Sequence, residues 1–332
     1  MAKQKIAGLL ATLTVILGSA NAFAQSVITV DTATNTGTVT GNCEFLEAAQ
    51  AAETNTAVDG CAAGSASGPD KIVFAAALDG QTISYATAPA FVSGEVIIDA
   101  EFRSIVLQAT GTADALDVFG ANVTLRGLDV RASTTGNGVT LAGGNLTVNN
   151  SSIQGRLGMN AFGSGSLVTV NNSTVASTET SPASDIGIRT GVSTGLVVNN
   201  STVVASVGSG INDSSSSVAA TVYSSIVVGA TPINGSSTTS GGTLLATSTT
   251  NAGLAASLAN NGGTTRTFAL LSGAAIDGGD CSSATFPRYD QRYYFNSASG
   301  LRAVGSACDA GAFESGAQDL LSDRIFANAF EL

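Results

Sequence analysis

The sequence predicts an all-β chain wound as a parallel β-solenoid, with one short helix at its N-terminal end. Three observations predict it. A segment recurs along the middle of the chain: Leu146-Thr-Val-Asn-Asn-Ser-Ser-Ile153, Val168-Thr-Val-Asn-Asn-Ser-Thr-Val175, Leu196-Val-Val-Asn-Asn-Ser-Thr-Val203 and the degraded Ala220-Thr-Val-Tyr-Ser-Ser-Ile-Val227, with an earlier relative at Val123-Thr-Leu-Arg-Gly-Leu-Asp-Val130. The starts lie 23, 22, 28 and 24 residues apart, a period that suits one coil of a solenoid. Each copy is an alternating β-branched run, a polar corner and a second short apolar run, which reads as strand, turn, strand. Finally, from residue 132 to residue 276 the only acids are Glu179, Asp185 and Asp213 and the only bases Arg156, Arg189 and Arg266. Solubility there rests on Ser, Thr and Asn.

Stacked coils explain the residue choice. Inward side chains must be apolar and stackable, which Val, Ile and Leu supply. Corners need residues that tolerate left-handed or bridge conformations, which Asn and Gly supply. Equivalent corners of adjacent coils lie about 4.8 Å apart, so Asn149, Asn171 and Asn199 are expected to form an amide ladder. Asn150, Asn172 and Asn200 form a second candidate ladder. A β-sandwich would need hairpin turns every 8–12 residues or so and would not repeat the same Asn-Asn-Ser corner. The spaced leucines of a leucine-rich repeat are missing.

Composition excludes several functions. The 332 residues carry 13 Lys plus Arg against 24 Asp plus Glu, a net charge of −11, with neither His nor Trp. Nucleic acid is not an expected partner, because phosphate neutralisation needs a basic surplus. Imidazole chemistry is excluded, including Ser-His-Asp triads and His-ligated zinc. No cofactor-binding or metal-binding pattern and no catalytic residues are assigned.

Taken in order, the chain begins with an export signal. Lys3 and Lys5 form a basic start, and Ile6 to Gly18 is an apolar stretch of 13 residues, too short to span a bilayer. Ala22-Phe23-Ala24 fits the small-x-small cleavage rule. Residues 1–24 are therefore expected to be a signal peptide, and the protein to be secreted or at the cell surface. The mature chain keeps 11 basic against 24 acidic residues, net −13. It holds no further stretch long and apolar enough for a transmembrane helix.

The four cysteines form two local pairs, one near each end. In an oxidising compartment, Cys43–Cys61 and Cys281–Cys308 are the expected bridges among three formal connectivities. The other pairings would tie together the ends of an elongated molecule.

Solenoid ends need covering, because terminal coils otherwise expose strand edges and core. Residues 25–80 are read as the N-terminal cap region. Its helix is expected over 42–53, with Asn42 as N-cap, Glu44 in the first turn, and Phe45, Leu46, Ala48, Ala49 and Ala52 on an apolar face. Lys71-Ile-Val-Phe74 and Thr82-Ile-Ser84 read as the first strands, and Val96-Ile-Ile98 and Ser104-Ile-Val-Leu107 continue the stack. Coils are expected over 81–259, a C-terminal region over 260–316 and a tail over 317–332.

Cys43-Glu-Phe-Leu-Glu-Ala48, Gly60-Cys61 and Asp70-Lys-Ile-Val-Phe74 resemble the N-terminal CSLREA domain of secreted bacterial β-helix proteins, with Leu46 where that motif has arginine. Asn260-Asn-Gly-Gly-Thr-Thr-Arg-Thr-Phe-Ala-Leu-Leu271, Ala275-Ile-Asp-Gly-Gly-Asp280, Tyr289-Asp-Gln-Arg292 and Cys308-Asp-Ala-Gly-Ala-Phe-Glu314 resemble the choice-of-anchor Q domain. These resemblances imply a right-handed parallel β-helix that is secreted or surface-attached, and no particular activity. The end of the chain, Asp323-Arg-Ile-Phe-Ala-Asn-Ala-Phe-Glu331, resembles a short I-F-x-x-G-F-E tail of exported Gram-negative proteins, with Ala329 in place of glycine.

The functional expectation is a non-catalytic surface or secreted protein, adhesin-like or structural, with glycans or a cell surface as partners. The alternative is a polysaccharide-active lyase or glycoside hydrolase on the same scaffold. Its carboxylate candidates are Asp99, Glu101, Asp114, Asp117, Asp129, Asp277 and Asp280. Asp117 and Asp129, half a coil apart, are expected on different faces. Asp277-Gly-Gly-Asp280 reads as a turn, Arg126, Arg131 and Asp129 as surface ion pairing, and Tyr289, Tyr293 and Tyr294 as packing of the C-terminal region.

Overall fold

In the computed structural model the described residues are 25–214, 218–282, 288–296, 299 and 301–319. The expected signal peptide, 1–24, and most of the expected tail, 317–332, lie outside them. The chain winds into a parallel β-solenoid of about seven turns, a right-handed parallel β-helix with three sheets. A nine-stranded first sheet runs from Ser26–Val30 to Ser237–Ser240. The second sheet has eight strands, from Thr82–Tyr85 to Leu244–Ala246, and the third has seven, from Ala90–Phe91 to Thr231–Gly235.

Each repeat's two apolar runs are consecutive strands of the first and second sheets. Leu167–Asn171 pairs in parallel with Asn145–Asn149 and Gly195–Asn199. Thr174–Ser177 pairs with Ser152–Gly155 and Thr202–Val204. The Gly/Ser/Thr stretches between repeats hold a third strand per coil, including Val139–Leu141, Leu157–Ala161, Ile186–Thr190 and Ser209–Asp213. The long coil carries its extra residues in a loop, 178–185, between Thr174–Ser177 and Ile186–Thr190.

The core is a set of in-register apolar columns. Val123, Leu146, Val168 and Leu196 stack from the first sheet, Val130, Ile153, Val175 and Val203 from the second, and Val139, Met159, Ile188 and Ile211 from the third. All are buried, each worth about 1.5–3 kcal/mol when fully removed from water. Before the third-sheet strands' inward residues stand Gly158, Gly187 and Gly210. A Cβ on Gly187 would lie 2.7 Å from Val203 Cγ1 and 2.6 Å from the Gly210 carbonyl oxygen. Each glycine is the second residue of its third-sheet strand, where the adjoining coil leaves no room for a side chain.

The N-terminal helix spans Phe45–Thr54, not 42–53: Glu44 is the N-cap, and its N–H donates to Glu47 Oε2 at 3.0 Å. Asn42 lies outside the helix because the two glutamates already supply the reciprocal box. Phe45 packs against Phe74 and Tyr85, with ring centroids 6.2 and 5.6 Å apart, which lays the helix over the first coil. Leu46 is only half-buried, whereas Ala51 is fully buried. Cys43–Cys61 and Cys281–Cys308 are both disulfides. A strand, Ser26–Val30, precedes the helix and pairs with Asp70–Phe74.

Candidate functional surface

The Asn-Asn-Ser corner distributes its tasks residue by residue. The first Asn points outward from the first sheet: Asn171 Nδ2 donates to Asn149 Oδ1 at 3.0 Å, and Asn199 Nδ2 to Asn171 Oδ1 at 2.9 Å. The second Asn makes the bend. Asn150, Asn172 and Asn200 have φ of 50, 50 and 48°, and Gly127 and Ser224 occupy the same column at 65 and 48°. That left-handed region favours Gly and Asn. These asparagines do not bond one another. Asn172 Nδ2 donates instead to the Tyr289 carbonyl at 3.1 Å, and Asn150 Nδ2 to that of Asp290 at 3.4 Å. The serine forms a hydroxyl ladder that the sequence reading missed: the N–H of Ser151 donates to Ser173 Oγ, Ser173 N–H to Ser201 Oγ and Ser201 N–H to Ser225 Oγ, each at 3.1 Å.

The C-terminal region lies along the outer face of the second sheet. Phe268 and Leu270 pack on the outward Ala176, Val204, Val228 and Ala246. Arg266 grips Asp129 with two bonds, Nε to Oδ2 at 2.9 Å and Nη2 to Oδ1 at 3.1 Å, and Ser152 Oγ donates to Asp129 Oδ1 at 2.7 Å. Asp129 is 2% exposed, so the pairing expected at the surface is a buried clamp. Burial raises its pKa, but bonds from Arg131 and Arg266 outweigh that and hold it below the usual carboxylate value. Behind this clamp sits a second network. Arg292 Nε donates to Asp290 at 2.8 Å, and the fully buried Arg302 donates through Nε to Glu314 Oε2 at 3.1 Å and through Nη1 to Asn172 Oδ1 at 3.1 Å. Tyr293 packs between Phe102, edge-on, and Tyr289, tilted, with ring centroids 4.8 and 5.1 Å away. Asp277 takes a left-handed φ of 52° and accepts from the Ala307 N–H at 3.1 Å, a turn geometry. Asp99 and Glu101 pair with Lys71.

The C-terminal region covers the second sheet from the Asp129 coil onward, while Thr82 and Ser84 on its first strand stay exposed; the first and third sheets also present outer faces. The third sheet carries the greater chemical variety. Its strands place Asp117, Thr140, Asn160, Arg189, Asn212 and Asn234 in one outward row, one residue per coil. Two residues further along the chain, just past each strand's end, runs a second row: Val92, Phe119, Ala142, Phe162, Gly191 and Ser214. Its register is fixed by N–H bonds from Phe119 to Phe91, Ala142 to Val118, Phe162 to Leu141, Gly191 to Ala161 and Ser214 to Thr190. Phe119 is 46% and Phe162 52% exposed.

At one end of the polar row, Asp114 accepts from the Asn137 N–H at 2.7 Å, Asn137 Nδ2 at 3.2 Å and Thr140 Oγ1 at 2.5 Å, and Arg156 Nη2 donates to Asn137 Oδ1 at 3.0 Å. Burial, and then the neighbouring Asp114, push the Asp117 carboxyl up to about 6. Asp117 and Asp129 stand on different sheets, the third and the second. A polar groove of about 520 Å³ runs between the N-terminal helix and the first coils. Its Glu53 is already committed to the N–H groups of Val92 and Ser93, and its Asp70 to that of Ser65. Comparison with family models, curated proteins and solved structures returns no match.

Proposed function

We propose that the chain is an exported, non-catalytic β-helix protein, secreted or held at the cell surface, that contacts glycans or a cell surface through the outer face of its third sheet. The observation that carries this is the pairing of an in-register row of hydrogen-bonding side chains with a parallel row bearing exposed rings. Polar groups that fix orientation beside apolar platforms are the ordinary composition of a ligand surface. Export is supported by the leader motif and by two disulfides, which persist in oxidising compartments. The CSLREA-like and choice-of-anchor Q-like readings belong to this proposal. In their favour, the motif residues Asp290, Arg292 and Glu314 meet in one buried network.

The alternative, a polysaccharide-active enzyme, is favoured by the raised pKa of Asp117. Against it, the neighbouring Asp114 is already committed to Asn137 and Thr140 and Asp129 stands on a different sheet, whereas a glycosidase needs two carboxyls flanking one bond. Co-sedimentation of residues 25–332 with insoluble polysaccharides and whole cells, followed by a reducing-end assay, tests the reading. Retention without release of reducing ends, lost in an Asn160→Ala/Arg189→Ala variant, is expected. Release of reducing ends that Asp117→Asn abolishes would overturn it in favour of the enzyme.

A further inference from the structure

Resting on that reading of the third sheet, we infer that its ligand is a neutral, extended β-1,4-linked polysaccharide lying along the solenoid axis, with Phe119 and Phe162 as its stacking platforms.

Spacing carries the first part of the argument. Phe119, Ala142 and Phe162 belong to consecutive coils, so the two rings are separated by two rungs, about 9.6 Å. An extended β-1,4-linked chain advances by roughly one sugar per rung. It also inverts each sugar relative to the last, so the same apolar pyranose face recurs every second residue. Rings on alternate coils meet that recurrence, and Ala142 between them leaves room for the inverted sugar. A chain that coils, or that lacks the twofold alternation, would meet one ring and miss the other.

The polar row supplies the equatorial contacts. Asp117, Thr140 and Asn160 stand on the three strands that end just before Phe119, Ala142 and Phe162, two residues earlier in the chain. Asp117 and Asn160 present a carboxyl and an amide beside where sugar hydroxyls would lie, whereas Thr140 between them is buried and already donates to Asp114. Asn212 and Asn234 continue the row, with Asn234 Nδ2 3.5 Å from Asn212 Oδ1.

Charge selects neutrality. The row carries one carboxyl, Asp117, and one guanidinium, Arg189, three rungs apart. There is no basic run to follow a uronate or sulfate at every sugar, and the chain as a whole is net −11. A polyanion would be repelled at long range.

Isothermal calorimetry on residues 25–332 tests this with hexaoses of β-1,4-linked glucose, mannose and N-acetylglucosamine, an α-1,4-linked glucose hexaose, and a hexamer of galacturonic acid. One of the β-1,4 hexaoses is expected to bind, and the matching disaccharide, too short to span both rings, to bind at least about tenfold more weakly. Phe119→Ala and Phe162→Ala should each weaken the hexaose by about tenfold or more, whereas Phe162→Trp should retain it. Both rings are half-exposed, so circular dichroism of the variants should match the parent. Preference for the galacturonic acid hexamer or the α-linked hexaose, with the Asn160→Ala/Arg189→Ala variant still defective, would overturn the ligand class while leaving the third sheet as the contact face. Undiminished binding by the double phenylalanine variant would overturn the ring assignment. Absence of binding to every hexaose, with co-sedimentation also negative, would overturn both.

Discussion

The corner residues 149–151, 171–173 and 199–201 show how identical tripeptides serve three different bonds. The first Asn bonds its copies in the half-buried amide ladder, the second turns the chain, and the Ser accepts a buried N–H from the preceding coil. Their energetic weights should differ accordingly. Asn171→Leu removes two partly exposed hydrogen bonds, a loss of about 1–3 kcal/mol at about 0.5–1.5 kcal/mol each. Ser173→Ala leaves the buried Ser151 N–H without its acceptor, a desolvation cost of about 1–3 kcal/mol from a single atom, and its own bond to Asn171 O is lost as well. Urea denaturation should therefore place both midpoints below the parent, with Ser173→Ala at least as low as Asn171→Leu; parent-like midpoints would mean that the corners are only solvated. A titration prediction also belongs here. Asp117 has its folded pKa raised to about 6 from 3.8, so its contribution to stability is fully present below about pH 3.8 and is lost as pH rises through about 6. Asp117→Asn should flatten the fall in stability between those values, read from thermal midpoints across that range; an unchanged slope would contradict the shift.

The C-terminal region is an element whose placement depends on contacts remote in sequence. Its resemblance motifs announce that it is ordered, and its disulfide is foreseeable from local Cys spacing. Its seat is not foreseeable, because Arg266 reaches Asp129 across 137 residues and no periodicity links them. From sequence, Asp129 has Arg131 and Arg126 as obvious partners and reads as a surface pair. The helix boundary failed for a similar reason, since Asn42 is a good N-cap by type but Glu44 and Glu47 complete the box. The clamp predicts a cost. Arg266→Ala removes two charge-assisted bonds from a buried carboxylate, about 1.5–3 kcal/mol, with Arg131 still present to pair it. Limited proteolysis should cleave within 260–316 faster in that variant than in the parent, at the same enzyme concentration. Equal cleavage rates would mean that Phe268 and Leu270 alone seat the region.

Across the whole molecule, the repeat made the first two sheets legible, because Val, Ile and Leu alternate there with polar residues. The third sheet was hidden. Its inward positions include Ala161 and Thr190, its strands hold Gly158, Gly187 and Gly210 where a Cβ would clash, and they therefore read as linkers. The candidate surface was illegible for the same reason: Phe119 and Phe162 are 43 residues apart, and only the coil register aligns them. Covering most of the second sheet with the C-terminal region leaves chiefly the first and third sheets to face a ligand. Hydrogen–deuterium exchange with and without the tightest-binding polysaccharide measures directly which face is used. Slowed exchange confined to 117–119, 139–142 and 159–162, with the first-sheet strands and residues 260–316 unchanged, is the predicted result. Protection over Asn145–Asn149 and Leu167–Asn171 instead, with none on the third sheet, would contradict it.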